Sequence, residues 1–176
     1  LLMTLFFVIS GSGQAMAGFV VDRFGARPVM FASIGLFALA ALVAATATGY
    51  GGLMLVVVLA GLGNAPFHPV DFTILNQRVS DARIGYGFSA HGLTGNLGWA
   101  LSPIFLVGIS SATHWRTAYL CAVAMYVLVG LILWINRDAL LTSTAKSRAA
   151  ALAANPTPNP TLAAHPLAFM RLPTVW

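Results

Sequence analysis

Six polar side chains interrupt otherwise apolar stretches of this sequence, and their types are the ones that could do chemistry. They are Gln14, Asn64, His68, Asp71, His91 and Asn96. A polar group in apolar surroundings is costly unless it has a partner, so each is a candidate functional residue. A neutral histidine near an aspartate can take up and release a proton in the physiological pH range. The set therefore indicates a pathway for a proton or a polar solute.

The spacing of these residues predicts a polar seam shared by two neighbouring helices. At 1.5 Å per residue, His68 lies about 15 Å from Arg78, and His91 lies about 12 Å from Arg83. By the same count, Asn64 lies about 21 Å from Arg78 and Asn96 lies about 20 Å from Arg83. Asp71 follows His68 by three residues, so the two share roughly one helical face.

Two other interpretations of the titratable residues stay open. His68 lies between Pro66 and Pro69, where carbonyls freed by proline need partners, so a structural hydrogen bond explains it equally well. A structural role is favoured for His91 and Asp71. A membrane-embedded enzyme with a metal at these three residues is a further alternative, but helical metal sites show histidines four residues apart or a cluster of carboxylates. Neither pattern is present in the sequence, which therefore predicts no metal and no cofactor.

The elements that must position these residues are long apolar segments. Of the 176 residues 59% are hydrophobic and 7% are charged, with a mean hydropathy of +0.85, whereas soluble domains carry about 25% charged residues. Charge-free stretches cover residues 1–21, 28–70, 84–115 and 117–136, and a helix needs about 20 residues to cross a bilayer. A soluble globular domain is excluded, and the single cysteine, Cys121, excludes a disulfide framework.

The sequence predicts an all-α integral membrane protein with five spans, at about residues 1–21, 28–48, 53–75, 84–109 and 115–135. Prolines are expected to interrupt the third and fourth spans, at Pro66, Pro69 and Pro103. Small residues in the fourth span predict close helix packing, with bending at the proline that follows them. These residues are Gly92, Gly95, Gly98 and Pro103. Because Leu1 already lies in an apolar run, the sequence resembles a fragment.

The nine basic residues are divided unevenly between the connections, and this predicts the orientation. One side holds Arg116, and the other holds Arg23, Arg27, Arg78, Arg83, Arg137, Lys146, Arg148 and Arg171. The side with eight is predicted to be cytoplasmic, which places the connections 22–27 and 76–83 and the tail 136–176 there. Within the tail, residues 137–170 predict a flexible linker, and residues 171–176 become apolar again, as on the approach to a further span.

One connection combines charge with glycine, at Gly18, Asp22, Arg23, Gly25 and Arg27. Gly18 removes a side chain where two helices would approach closely. The three charges lie in a tight connection of about six residues, and such charges can form an ion pair that opens when helices move. We interpret the set as a gating loop. The alternative is a stop-transfer cluster that only fixes orientation, but such a cluster does not require the two glycines.

This spacing resembles the loop motif of the major facilitator superfamily, which lies between the second and third of twelve helices. Residues 61–69 and 92–103, with the pair His68-Pro69 and the run Gly95-Asn96-Leu97-Gly98, resemble the fourth and fifth helices of the fosmidomycin-resistance and drug-efflux branch. The resemblance implies that the five spans are helices two to six of a twelve-helix transporter. They would form most of a six-helix N-terminal bundle, with residues 137–170 as the central loop. The first helix and the C-terminal half would then lie outside this sequence.

The resemblance further implies a secondary transporter of small organic solutes, with efflux in exchange for protons by alternating access. The implied partners are the lipid bilayer of the inner or plasma membrane, a small-molecule substrate, protons and the remainder of the same chain. Neither an enzyme nor a nucleic-acid-binding protein is expected. A symporter or uniporter of the same fold, and a non-transporting receptor or scaffold, remain alternatives. The sequence does not identify the substrate.

Overall fold

The structure, a computed structural model, describes residues 1–144, 147, 150, 151 and 154. The regular elements of residues 1–144 are six α-helices and two short 3-10 turns. The helices are α1 (Leu2–Phe24), α2 (Ala26–Thr46), α3 (Tyr50–Asn64), α4 (Phe67–Arg78), α5 (Ile84–Ala112) and α6 (Trp115–Ile135), and the 3-10 turns are Asp81–Arg83 and Arg137–Leu140. Five helical segments are long and apolar enough to cross a membrane, the number that the sequence predicts, with α3 and α4 together forming the third.

The predicted linker at residues 137–170 is described in part. Residues 137–144 follow α6 directly. Apart from the four isolated positions given above, the rest of the linker and residues 171–176 lie outside the described residues. The same holds for three of the basic residues used to predict orientation, Lys146, Arg148 and Arg171.

A single residue, Gly25, joins α1 to α2, so this connection is shorter than the predicted loop. Gly25 has φ +86° and ψ 162°, a conformation that is almost confined to glycine. Its N–H donates to the carbonyl of Val21 at 2.7 Å. Because the chain reverses within one residue, Asp22 and Arg23 belong to the last turn of α1 and Arg27 to the first turn of α2.

The third span is broken where proline predicted it, between the end of α3 and the start of α4. Pro66 has no amide hydrogen to donate to the helical ladder, and the break falls directly before His68. In contrast, α5 continues through Pro103, so the interruption expected in the fourth span is not seen. Long helical segments on both sides of Pro103 keep that helix continuous despite the one missing bond.

Two other connections are shorter than the sequence suggested. α3 begins at Tyr50, so Gly51 and Gly52 lie in its first turn, where amide groups have no helical acceptor and glycine costs little. α5 continues through Ser110 to Ala112, which leaves two residues before α6. In both places the helix extends past the apolar segment because each further turn still satisfies its backbone hydrogen bonds.

The helix α2 lies at the centre of the bundle, between α3 and α6. A buried core forms around its first half, from Val21, Ala26, Val29, Met30, Ile34 and Val70. Helices approach closely at three glycines. An added Cβ would lie 2.8 Å from Ala65 at Gly13, 3.1 Å from Ile9 at Gly61 and 3.1 Å from the Ser33 carbonyl at Gly63. Small residues therefore set the spacing between α1, α2 and α3.

Large apolar side chains cover much of the outer surface, as a lipid environment requires. Examples that are more than half exposed are Phe7, Phe19, Leu93, Ile104, Leu131 and Ile135. On α6, Trp115 and Trp134 lie about 29 Å apart along the helix axis. That separation matches the roughly 30 Å hydrocarbon layer, at whose edges tryptophan is enriched. The protein is therefore a multi-pass membrane protein.

Candidate functional site

Residues of α4 and α5 line an open cavity of about 440 Å³, which we call the polar cavity. Its lining consists of His68, Phe72, Phe88, His91, Gly92, Gly95, Asn96 and Trp99. Three of the six polar residues singled out from the sequence therefore face one space. The cavity is of the size that small-molecule sites have, about 300–1,000 Å³.

Three titratable side chains lie near one another at this cavity, although the shortest separation between them is longer than a hydrogen bond. The carboxylate oxygen Oδ2 of Asp71 lies 3.7 Å from Nε2 of His91, and the two side chains are 19% and 31% exposed. The ring of His68 lies 6.3 Å from that of His91, centroid to centroid. The sequence predicts that Asp71 and His68 share one face of a helix. In the structure the carboxylate of Asp71 lies beside His91 on the facing helix α5. Each of these groups can take up a proton, and together they bring one carboxyl group and two imidazoles to the same region of α4 and α5.

Aromatic rings that were not among the predicted site residues lie beside these groups. The ring of Phe72 lies 5.7 Å from His68, 6.1 Å from His91 and 5.3 Å from Phe88. The rings give the cavity an apolar wall beside its titratable groups, while Phe72 itself is 43% exposed. The sequence signal was available, because Phe72 adjoins Asp71 and Phe88 precedes His91 by three residues, on the same face of α5.

The two remaining polar candidates lie away from the cavity. Asn64 donates from Nδ2 to the hydroxyl of Ser10 at 2.7 Å, and Ser10 is buried, so this bond joins α3 to α1. The helix breaks between Asn64 and His68, and Asn64 is not part of the cavity lining. Gln14 is half-buried on α1, one turn after Ser10. The predicted match in depth between Asn64 and Asn96 stays a prediction.

The predicted gating residues surround the tight connection between α1 and α2. Gly25 is buried at that connection, and Nη1 of Arg27 lies 3.9 Å from Oδ1 of Asp138, beyond α6. The guanidinium of Arg23 lies 5.4 Å from the ring of the adjacent phenylalanine. Asp22 is half-buried in the last turn of α1. At Gly18 an added Cβ would meet no described atom within 4 Å, so the close approach expected there is not seen among these residues.

The segment that follows α6 closes this end of the bundle. We call residues 138–144 the α6 extension. Arg78 at the end of α4 donates from Nη2 to the carbonyls of Asp138 at 2.7 Å and Leu141 at 2.8 Å. The amide of Ala26 donates to the hydroxyl oxygen of Thr142 at 2.9 Å. The extension therefore connects the end of α4 to the start of α2.

A second contact from α4 reinforces this closure. The side-chain oxygen of Gln77 accepts from the amide of Ser143 at 2.7 Å and from its hydroxyl at 3.0 Å. The adjoining side chains of Thr142 and Thr144 lie next to Gly25. The sequence signal for these contacts was the run of three hydroxyl residues at positions 142–144, shortly after the fifth span, because such side chains can bond backbone groups.

We expect the substitution Arg78→Ala to loosen the α6 extension. Two carbonyls lose a charged donor, and such bonds contribute about 1.5–3 kcal/mol each when sheltered and less at an exposed site such as this one. Amide hydrogen exchange in a peptide covering residues 138–144 should accelerate about tenfold. The matched control is Arg83→Ala, in the exposed 3-10 turn after α4. Equal exchange in both variants would contradict a role for Arg78 in this closure.

Three glycines of α5 face open space or cavities. An added Cβ at Gly92, Gly95 or Gly98 meets no described atom within 4 Å. The first two line the polar cavity, and Gly98 lines an apolar cavity between α2, α3, α5 and α6. Close packing at these glycines, and bending at Pro103, therefore stay predictions. Their observed effect is to leave the polar cavity room for a ligand.

Comparison with known proteins gives two relatives. The chain is 32% identical over 104 residues to the multidrug resistance protein B homolog of Mycobacterium tuberculosis, in strains CDC 1551/Oshkosh and ATCC 25618/H37Rv. The alignment covers 59% of this chain and 19% of each relative, so the chain matches about a fifth of their length. The relatives confirm the resemblance to drug-efflux proteins, and the finer likeness to fosmidomycin-resistance proteins stays a prediction. Because the family model of the Major Facilitator Superfamily matches residues 1–175, the chain belongs to that superfamily.

Proposed function

We propose that this protein is a secondary transporter that expels small organic solutes from the cell in exchange for protons. Family membership supports a transporter rather than an enzyme. The multidrug-resistance names of the two relatives support export as the direction. The mechanism proposed is alternating access, in which helix bundles rock around a site near the middle of the membrane.

The observation that carries proton coupling is the pair Asp71–His91 inside the membrane-spanning bundle. All four acidic residues are aspartates, and three of them lie at helix ends or in connections, namely Asp22, Asp81 and Asp138. Asp71 therefore differs from the other three in lying within a span. Ionisable residues at such depth are expensive and mark proton pathways in transporters. In this proposal the pair takes up the coupling proton, and His68 relays it across the cavity.

The two other groups of predicted residues have places in the same proposal. The break at Pro66 separates α4, which carries His68 and Asp71, from α3, so α4 can tilt without moving the whole span. The Gly25 connection and the α6 extension hold the end of α1, the start of α2 and the end of α4 together at one end of the bundle and act as the gate. The uneven distribution of basic residues supports a gate on the cytoplasmic side of the membrane, which would be the inner membrane in a bacterium.

Inverted membrane vesicles that contain the protein test this proposal. Respiration acidifies the vesicle interior, so an exporter that exchanges protons accumulates its solute inside. We expect uptake of a fluorescent aromatic cation from a panel of such dyes, together with partial collapse of the pH gradient when the dye is added. Vesicles without the protein serve as the control. Uptake that continues after the gradient is dissipated, or movement of dye and protons in the same direction, would favour a uniporter or a symporter instead.

A further inference from the structure

A second polar cavity lies at the basic end of the bundle, between α2 and α6, well away from the histidine cavity. Its volume is about 370 Å³, and its lining is Arg27, Pro28, Phe31, Trp134, Arg137 and Asp138. It thus combines two guanidinium groups with two aromatic rings and a proline. Neither the proton pathway nor the gate proposed above requires Phe31, Trp134 or Arg137.

The charge of this cavity is positive. Arg27 and Arg137 contribute two cations, and Asp138 is the acidic residue in the lining. The carboxylate of Asp138 lies 3.9 Å from Arg27, and its side chain is 87% exposed. Exposed ion pairs at this distance contribute little and are screened by salt. An anion can therefore displace the carboxylate and engage both guanidinium groups.

The apolar part of the lining places the cavity at the membrane interface. The rings of Phe31 and Trp134 meet edge to face at 5.8 Å, and the guanidinium of Arg137 lies 5.2 Å from the centre of the Trp134 ring. Tryptophan near a span end lies at the level of the lipid headgroups. Leu131, three residues before Trp134 on the same face of α6, is 56% exposed and continues the surface into the hydrocarbon layer.

We propose that this cavity binds the phosphate headgroup of an anionic phospholipid. The guanidinium groups match phosphate oxygens in charge and in hydrogen-bonding geometry. Basic pockets between transmembrane helices at the cytoplasmic face are known sites for such headgroups. An acyl chain would then descend along α6 over Leu131. This assignment does not depend on the transport proposal, since it uses residues outside the proton pathway.

Native mass spectrometry of the protein in mild detergent tests the site, with equimolar phosphatidylglycerol and phosphatidylcholine as probes. We expect phosphatidylglycerol to be retained preferentially. Arg27→Gln and Arg137→Gln should each lower its affinity about fivefold, the effect of one positive charge near a membrane surface. Asp138→Asn should raise that affinity, because a competing carboxylate is removed. A misfolded variant would not bind phosphatidylglycerol more tightly than the parent. A higher affinity of Asp138→Asn therefore reports on the site itself.

The matched control is Arg116→Gln at the opposite end of α6. Arg116 also lies over a tryptophan, with its guanidinium 4.4 Å from the ring of Trp115, but its Nη2 group donates to the carbonyl of Ala47 at 3.0 Å. This variant should retain phosphatidylglycerol as the parent does. Equal retention of both lipids by the parent protein, or unchanged retention in all three cavity variants, would overturn the proposal. Displacement of the lipid by millimolar inorganic phosphate would also overturn it, because the site would then bind a free anion.

Discussion

Replacing Gly25 with alanine is expected to destabilise the bundle by about 1–3 kcal/mol, because its φ of +86° with ψ of 162° is essentially restricted to glycine. Space does not limit the new methyl group, whose nearest neighbour would be Cγ2 of Thr144 at 3.7 Å. The cost is therefore conformational, and it falls on the connection that holds α1 against α2. Thermal unfolding of the purified protein in detergent, followed by circular dichroism, measures it.

Gly35→Ala is the matched control for this prediction. Gly35 lies inside α2, where an added Cβ meets no described atom within 4 Å. Alanine is favoured over glycine in a helix interior by up to about 1 kcal/mol, so this variant should unfold at the same temperature or higher. If both variants unfold like the parent, the positive φ at Gly25 is not a constraint on the fold.

The substitution Asp71→Asn is expected to reduce gradient-driven transport to the level of vesicles without the protein. Asparagine has a similar shape but cannot take up and release a proton, so the pair with His91 loses its titratable carboxylate. Exchange of labelled for unlabelled solute without a gradient should persist, since it requires no net proton movement. His91→Gln should show the same separation of the two activities. Both activities are measured in the same vesicle preparation.

Asp81→Asn is the control, because Asp81 lies in the exposed 3-10 turn between α4 and α5. It should transport like the parent protein. Loss of gradient-driven transport and exchange together in Asp71→Asn would indicate a structural role for the pair. Retention of both activities in Asp71→Asn would exclude Asp71 from proton coupling. The family assignment and the proposed lipid site do not depend on this result.

The five spans could be predicted because a charged residue in the hydrocarbon layer is costly, so long charge-free stretches mark the segments that cross it. The helix ends were less predictable, because a helix does not necessarily end where its apolar residues end. Thus α1 continues through Asp22 and Arg23, and its end is set by the positive φ of Gly25. The break before α4 was predictable because Pro66 removes a backbone donor, whereas the continuity of α5 at Pro103 was not.

The polar cavity could be predicted in part. Counting residues from a shared connection placed His68 and His91 at similar depths, because helical rise is constant. Such a count does not give the rotation of each helix about its own axis. It therefore does not show which side chains of two helices face each other. Pairing of Asp71 with His91 depends on how α4 is oriented after the break at Pro66. The bond from Asn64 to Ser10 depends likewise on the packing of α3 against α1.

The α6 extension has a consequence for biosynthesis. The amide of Ala26 bonds a hydroxyl 116 residues further along the chain, and Arg78 bonds carbonyls 60 and 63 residues further along. At about 5–20 residues per second, the ribosome needs roughly 6–23 s to supply Thr142 after Ala26 has been made. During that interval α1 and α2 are held by their own contacts and by Gly25. Nascent chains truncated before residue 138 should therefore remain more sensitive to protease at this end than chains extended past residue 144.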